Sequence, residues 1–139
     1  MTEQRDTRVE IVRRGFEAFE TMDMDAFTRD WHPQLVWDVS GYDHWPGSKT
    51  EYVGAPEILA EFGSFLGSVR ALEVTDLEVT GLTDGRVLAT YHERRINEGE
   101  QEPAHLDIGI VYEFDGDTIT RIEVYTGHDR AKQAAGLGT

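Results

Sequence analysis

Three side chains on two expected strands have the makings of an acid–base site. Asp38 is the one charged residue in the apolar run LVWDVS (35–40). His92 and Arg94 stand two apart in YHERRI (91–96), the spacing that puts both on one face of a strand. If Asp38 faces the interior, so does Val36; if Arg94 does, so do His92, Thr90 and Leu88. A carboxylate among apolar walls has its pKa raised by desolvation and lowered by a nearby guanidinium. The balance decides whether Asp38 serves as a base near neutral pH. An imidazole such as that of His92 is the side chain suited to a proton shuttle, and the fork of Arg94 suits a carboxylate or enolate oxygen. Together they fit removal of a proton alpha to a carbonyl, with Arg94 or His92 stabilising the oxyanion. The alternative is a satisfied polar network in a purely structural interior.

The apolar walls of such a pocket are expected from Trp31, Val36, Phe62, Ile108, Ile110, Tyr112 and Val124, with Leu106 and Ile122 on the same faces. Tyr42, Trp45 and Tyr52 lie in or beside the loop at 41–50, where they form either a lid over the mouth or a cover on the helix–sheet seam. Trp31 and Trp37 otherwise read as core. His105 and Asp107 share one strand face and are second-tier candidates. By parity they point outward with Gly109 and Val111, one register slip from the pocket. His32, His44 and His128 are scattered and no pair has the spacing of a helical metal motif, so no metal site is expected.

The elements that must position these groups follow from periodicity. Thr7-Arg8-Val9-Glu10 has capping-box form, at the start of a helix or within it. Val9, Val12, Phe16 and Phe19 then repeat at helical spacing. Asp23 reads as the N-cap of a short second helix carrying Ala26, Phe27 and Trp31 and stopped by Pro33. Residues 35–40 form a strand, and 41–50, with two Gly and a Pro, a loop. Gly54-Ala55-Pro56-Glu57 opens a helix that buries Ile58, Phe62, Phe65 and Leu66. From Arg70 the period becomes two. Leu72 and Val74 alternate in one phase, Leu77 and Val79 in the other, so a bulge is expected near Thr75-Asp76. Asp84-Gly85 is a hairpin turn leading into a strand over 87–96, and a polar turn at 97–102 leads into a strand through Phe114. Asp115-Gly116-Asp117 turns into the last strand, 118–126. A short helix over 129–135 ends at Gly136. Three helices with one strand among them, then a four-strand meander, make an α+β fold with an antiparallel sheet and helices on one face.

The 139 residues fit a single domain, 1–139, with 39% hydrophobic and 10% aromatic residues. The net charge of −14, from 27 acidic and 13 basic residues, argues against nucleic acid and anionic membranes as partners. No window approaches the roughly 18 apolar residues of a membrane span, and the polar start MTEQRDTR lacks a signal peptide's apolar core. With no cysteine, disulfides and thiolate chemistry are absent, and a cytoplasmic location is expected.

The order of elements, with GFEAFETMDMDAF, HPQLVWDVS, YVGAPEILAEF and the closing FDGDTITRIEVY and AAGL, resembles the SnoaL-like branch of the NTF2-like superfamily over nearly the whole chain. The resemblance implies a curved sheet wrapped around N-terminal helices into a cone with an internal pocket. It also implies a homodimer paired through the outer sheet face, a small hydrophobic molecule as partner, and ketosteroid isomerase, polyketide cyclase, epoxide hydrolase or dehydratase chemistry without metal or organic cofactor. On LVWDV, the steroid isomerases' general-base Asp falls on Asp38, while on the helix before MDMDAF their oxyanion-hole Tyr falls on Gly15 and on the EFDG turn their oxyanion-hole Asp falls on Ile110. On YHERRI, the epoxide hydrolases' Arg falls on Arg94 but one of their two Asp on Ile96, and on the last strand the other falls on Val124. The resemblance therefore implies a cofactor-independent isomerase, cyclase or lyase type of enzyme acting on a hydrophobic carbonyl or polycyclic compound, with Asp38 as base. The alternative is a non-catalytic module that binds a hydrophobic ligand.

Overall fold

The computed structural model describes residues 2–43, 45 and 49–137, with side chains from residue 6 onward. In chain order the elements are α1 (Thr2–Glu20), α2 (Met24–Thr28), β1 (Trp31–Gly41), β2 (Glu51–Val53), α3 (Ala55–Gly67), β3 (Val69–Gly81), β4 (Val87–Asn97), β5 (Ala104–Asp115), β6 (Thr118–Thr126) and α4 (His128–Ala134). The six strands form one curved, unclosed sheet in the order β2-β1-β6-β5-β4-β3. The α+β class and the cone-like wrapping of sheet around helices are as expected. Helix α1 runs through Thr7-Glu10 instead of starting there.

Local chemistry explains the element ends. The Asp23 side chain accepts from the Ala26 N–H at 3.2 Å, capping α2. Gly54, at φ +84°, lets the chain turn into α3, and the Glu57 carboxylate reaches back to the Val53 N–H at 2.9 Å. The period change in β3 is a bulge, with Asp76 at φ +57° and a register shift between Thr75 and Glu78.

Three features differ from the sequence reading. Trp31 belongs to β1 and not to the second helix. A three-residue strand, β2, pairs with β1, placing Tyr52 opposite Trp37. Strands β1 and β6 run parallel, with Trp37 opposite Ile122, so the sheet is not antiparallel throughout. Strand β2 is too short to show a period, and the β1–β6 pairing joins distant segments that no local pattern encodes.

The core sits on the concave face, where Leu35, Trp37 and Val39 of β1 meet Ala89, Ile108, Ile110, Ile122 and Val124 under Ile11, Val12 and Ile58 of α1 and α3. A second, smaller cluster lies on the opposite face. There α4 buries Ala131 and Ala135 against Leu82, Leu88 and Val111. Arg86 ties down the end of α4 by donating to the Ala134 and Ala135 carbonyls at 2.9 and 3.2 Å. A Cβ at Gly109 would collide with the Ala131 side chain, so only glycine lets α4 lie this close to β5.

Gly109→Val should therefore destabilise the fold by about 1–3 kcal/mol in urea denaturation, the usual cost of overpacking. Ala131→Gly in the same chain should recover part of the loss. Gly109→Val with undiminished stability would mean that α4 does not dock there.

Candidate functional site

Between the concave sheet face and helices α1–α3 lies a cavity of about 150 Å³. One wall is a run of near-parallel rings. Phe27 stacks on Phe62 at 5.9 Å, Phe62 on Phe65 at 6.3 Å, and Phe65 on Trp45 at 5.2 Å. Trp37 meets this wall edge-on, 5.7 Å from Phe62. Three charged residues line the cavity: Arg14, Asp30 and Glu93. Arg14 is exposed and Asp30 half-buried, whereas Glu93 is only 4% exposed and is the one buried charged residue among those described.

Glu93 is held from two sides. The Tyr42 hydroxyl donates to Glu93 Oε2 at 3.3 Å, and Arg95 Nη1 donates to the Tyr42 Oη at 2.6 Å. Arg95 Nη1 stands 3.7 Å from Oε2 itself, and its guanidinium lies over the Phe65 ring, 5.4 Å from the centroid. Burial pushes the Glu93 carboxyl above its ordinary range, and Arg95 and the Tyr42 hydrogen bond only partly offset it. The Tyr42 phenol is pushed up to about 12, first by burial and then by the Glu93 charge. The arrangement is a carboxylate made more basic by an apolar cavity, the property a general base needs near neutral pH.

The expected trio does not converge here. Asp38, His92 and Arg94 all stand on the outer face of the sheet, because their strands have the opposite phase. In β1, Leu35, Trp37 and Val39 point inward, which turns Val36 and Asp38 outward. The Asp38 side chain is 13% exposed and accepts from Arg121 Nη2 at 2.6 Å, beside Glu51 at 3.1 Å and Glu123 at 3.0 Å from the same guanidinium. Burial works against the Arg121 charge, but hydrogen bonds to Glu123 and Glu51 outweigh it and hold the group firmly protonated. In β4, Tyr91 and Glu93 line the cavity, so His92 and Arg94 face away from it. His92 instead joins the second-tier pair on the outer face, bonding Asp107 Oδ1 at 3.1 Å and His105 Nδ1 at 3.0 Å.

Of the expected wall residues, Trp31, Tyr42, Trp45, Phe62, Ile110, Tyr112 and Val124 line the cavity. Val36 is on the outer face, while Ile108 and Tyr52 are core residues behind the walls, 0% and 3% exposed. Trp45 is tied to the core behind it, its Nε1 donating to the Tyr52 hydroxyl at 3.3 Å. His128 donates to the Tyr91 carbonyl at 2.9 Å, His32 accepts from the Gln34 N–H at 3.0 Å, and His44 lies outside the described residues. Among the described residues no group of three or more His, Cys, Asp or Glu is placed to hold a metal ion, and no helix is long and apolar enough to cross a membrane.

Sequence reasoning missed Glu93 and Arg95, and a signal for them existed. Leu106, Ile108 and Ile110 were expected inward, as they are. The β4–β5 hairpin sets Glu93 opposite Leu106 and Tyr91 opposite Ile108, which turns the Tyr91-Glu93-Arg95 set of YHERRI inward.

The SnoaL-like domain model matches residues 12–122. Bal32a, from a soil-derived mobile gene cassette, superposes with a TM-score of 0.76 at 23% identity, covering 95% of this chain and 98% of its own. A candidate polyketide cyclase from Xanthomonas campestris pv. campestris gives 0.74 at 20% identity, covering 96% and 98%. A candidate isomerase from Bacillus subtilis gives 0.73 at 19%, covering 98% and 96%. At these identities the likeness is one of fold alone. No curated protein matches the chain.

The raised Glu93 pKa fixes the sign of a stability effect. The folded state holds this proton more tightly than the unfolded chain, so stability falls as pH rises from the ordinary value of 4.5 through the raised one, then levels off. Glu93→Gln removes the buried charge and should stabilise the protein at pH 7.5 by about 1–2 kcal/mol, the scale of an imperfectly compensated buried group. The gain should vanish below about pH 4.5, where both states are protonated. Urea denaturation at the two pH values checks this, and a gain independent of pH would contradict the assignment.

Proposed function

The chain belongs to the SnoaL-like domain family, and from that premise we propose that it is a cofactor-independent acid–base enzyme of isomerase, cyclase or lyase type. It acts on a small, largely apolar carbonyl compound in the cavity, with Glu93 in the role the sequence suggested for Asp38. The observation that carries the reading is a solitary buried carboxylate on an aromatic-walled cavity, held by Tyr42 and Arg95. The family resemblance supports the reaction class, and the polyketide cyclase and isomerase names of structural neighbours agree with it.

In this reading the Glu93 carboxylate takes a proton from the carbon next to a carbonyl. The C–H pair moves into the enolate, and its negative charge develops on the substrate oxygen. Glu93 then returns the proton at another carbon, or the enolate pair expels a leaving group that departs with the proton from Glu93. Tyr42 and Arg95 are positioning residues. Tyr42 fixes Oε2, and among the described residues Oε1 has no hydrogen-bond partner and is free for substrate. Burial among the apolar walls leaves the carboxylate poorly solvated and basic.

The test is deuterium exchange alpha to the carbonyl of acetophenone and 2-tetralone, followed by proton NMR in D2O. Wild type should exchange above the buffer rate and Glu93→Gln should lose about 100-fold or more. Asp38→Asn, on the outer face, should stay within about twofold of wild type. An Asp38→Asn loss as large as that of Glu93→Gln would sink the assignment. Binding of both ketones with no exchange would instead mark a non-catalytic ligand-binding module.

The reading includes a homodimer on the part of the outer sheet face that α4 leaves uncovered, around His92, His105 and Asp107. Sedimentation velocity at micromolar concentration should give twice the chain mass, and an Asp107→Arg variant should shift the protein towards monomer. A monomer at every concentration removes this part.

A further inference from the structure

The outer face of the sheet carries a cluster that the cavity does not use. His92 of β4 and His105 of β5 bring two ring nitrogens, Nε2 and Nδ1, to 3.0 Å from each other. The ring planes lie within 21° of parallel, with centroids 5.2 Å apart. On its other side, His92 Nδ1 stands 3.1 Å from Asp107 Oδ1. His105 and Asp107 are exposed and His92 is half-buried, so solutes reach the group from water. Sequence spacing hides the pair, because its members lie on two strands, 13 residues apart.

The register of the β4–β5 hairpin makes the cluster. Asp107 stands opposite His92, and His105 opposite Arg94, so the two imidazoles are diagonal neighbours on one face. Long side chains bridge that diagonal. A carboxylate oxygen accepts, so His92 presents Nδ1–H to Asp107 and keeps a lone pair on Nε2, towards His105. His105 Nδ1–H is then the donor between the rings. A carboxylate on the far nitrogen is the usual outer partner of a metal-bound imidazole, since it fixes both the tautomer and the ring's aim. Here that partner is already in place.

We propose that His92 and His105 form a two-imidazole site for one divalent transition-metal ion, copper(II) before others, with Asp107 as its positioning residue. Imidazole nitrogens bind such ions at about 2.0–2.1 Å, so two at right angles stand about 2.9 Å apart, against about 3.3 Å in a tetrahedron. The 3.0 Å found here suits the right-angled arrangement of copper(II) and nickel(II), and copper(II) binds nitrogen ligands more tightly. The ion takes the place of the hydrogen between the rings, and each ring tilts to aim its lone pair at the metal. The His105 proton moves from Nδ1 to Nε2, so none is released. Among the described residues no three such groups converge, so water fills the ion's other positions. Arg94, across from His105, opposes a cation at short range, while the net charge of −14 draws cations to the chain. The site rests on neither the cavity reading nor the pairing of chains.

The test is calorimetric titration of the full chain with copper(II) chloride in a weakly coordinating buffer, with pulsed electron paramagnetic resonance on the loaded protein. The tightest site should take one equivalent per chain, and its spectrum should show two bound imidazoles. His92→Gln and His105→Gln should each weaken that site by about tenfold or more and leave one imidazole on the ion. Asp107→Ala should weaken it by about 10–100-fold with both imidazoles still bound, the mark of a residue acting through its neighbour. His32→Gln, on β1, should stay within about twofold of wild type. Thermal melts check that each variant folds. Undiminished copper binding in both cluster-histidine variants, a one-imidazole spectrum in wild type, or no tightly held equivalent would overturn the site. An Asp107→Ala affinity equal to wild type would overturn the role given to Asp107.

Discussion

The hydrogen bond from Tyr42 to Glu93 joins the turn after β1 to the middle of β4, and the chemistry of the cavity depends on its weakness. A carboxylate beside an arginine commonly accepts a short bidentate pair and becomes a poor base. Here the short bond from Arg95 goes to the Tyr42 oxygen, at 2.6 Å, and the guanidinium stays 3.7 Å from the carboxylate. Tyr42 thus stands between the two charges as a neutral spacer. Burial can then outweigh the attraction, and the carboxyl pKa rises instead of falling. The apolar walls supply the desolvation, so the aromatic stack and the acid are parts of one device.

The outer face of the sheet uses a carboxylate in the opposite way. Asp38 is in direct contact with Arg121, which also reaches Glu51 and Glu123. That cluster spans β2, β1 and β6, the strands whose pairing joins the two ends of the chain. Exposed ion pairs contribute little singly, but this one is partly buried and shared among several acceptors. Its position opposes a one-residue slip of β1 on β6, because a slip would drive Asp38 inward and Trp37 outward. Asp38 therefore belongs to the ion pairs of the outer face and does not line the cavity.

Local elements were legible because their causes are local. Asp23 caps, Gly85 and Gly136 turn with φ of +91° and +80°, and the bulge at Asp76 shows as a change of phase in the apolar pattern. The fold class followed from their order. What could not be read was pairing. The three residues of β2 have no period to detect, and the parallel β1–β6 contact links positions some eighty residues apart. The wall residues Ile110, Tyr112 and Val124 were legible because β5 and β6 alternate cleanly, whereas Asp38 sits in a strand that is apolar on both faces.

The hidden phase of β4 has a specific physical source. Alternation marks the inner face of a strand only when the other face is wet. In β4 the outer positions Leu88 and Thr90 are 4% and 7% exposed, because α4 packs over Leu88 and Val111 and lies against Gly109. The first half of the strand is therefore buried on both sides. The second half, HERRIN, is polar on both, so neither half distinguishes in from out. Phase can still be passed across the hairpin from β5, whose Leu106, Ile108 and Ile110 fix the partners Glu93, Tyr91 and Ala89. A seven-residue helix after the last strand thus conceals which of two interleaved polar sets, His92-Arg94 or Glu93-Arg95, belongs to the cavity, and the neighbouring strand reveals it.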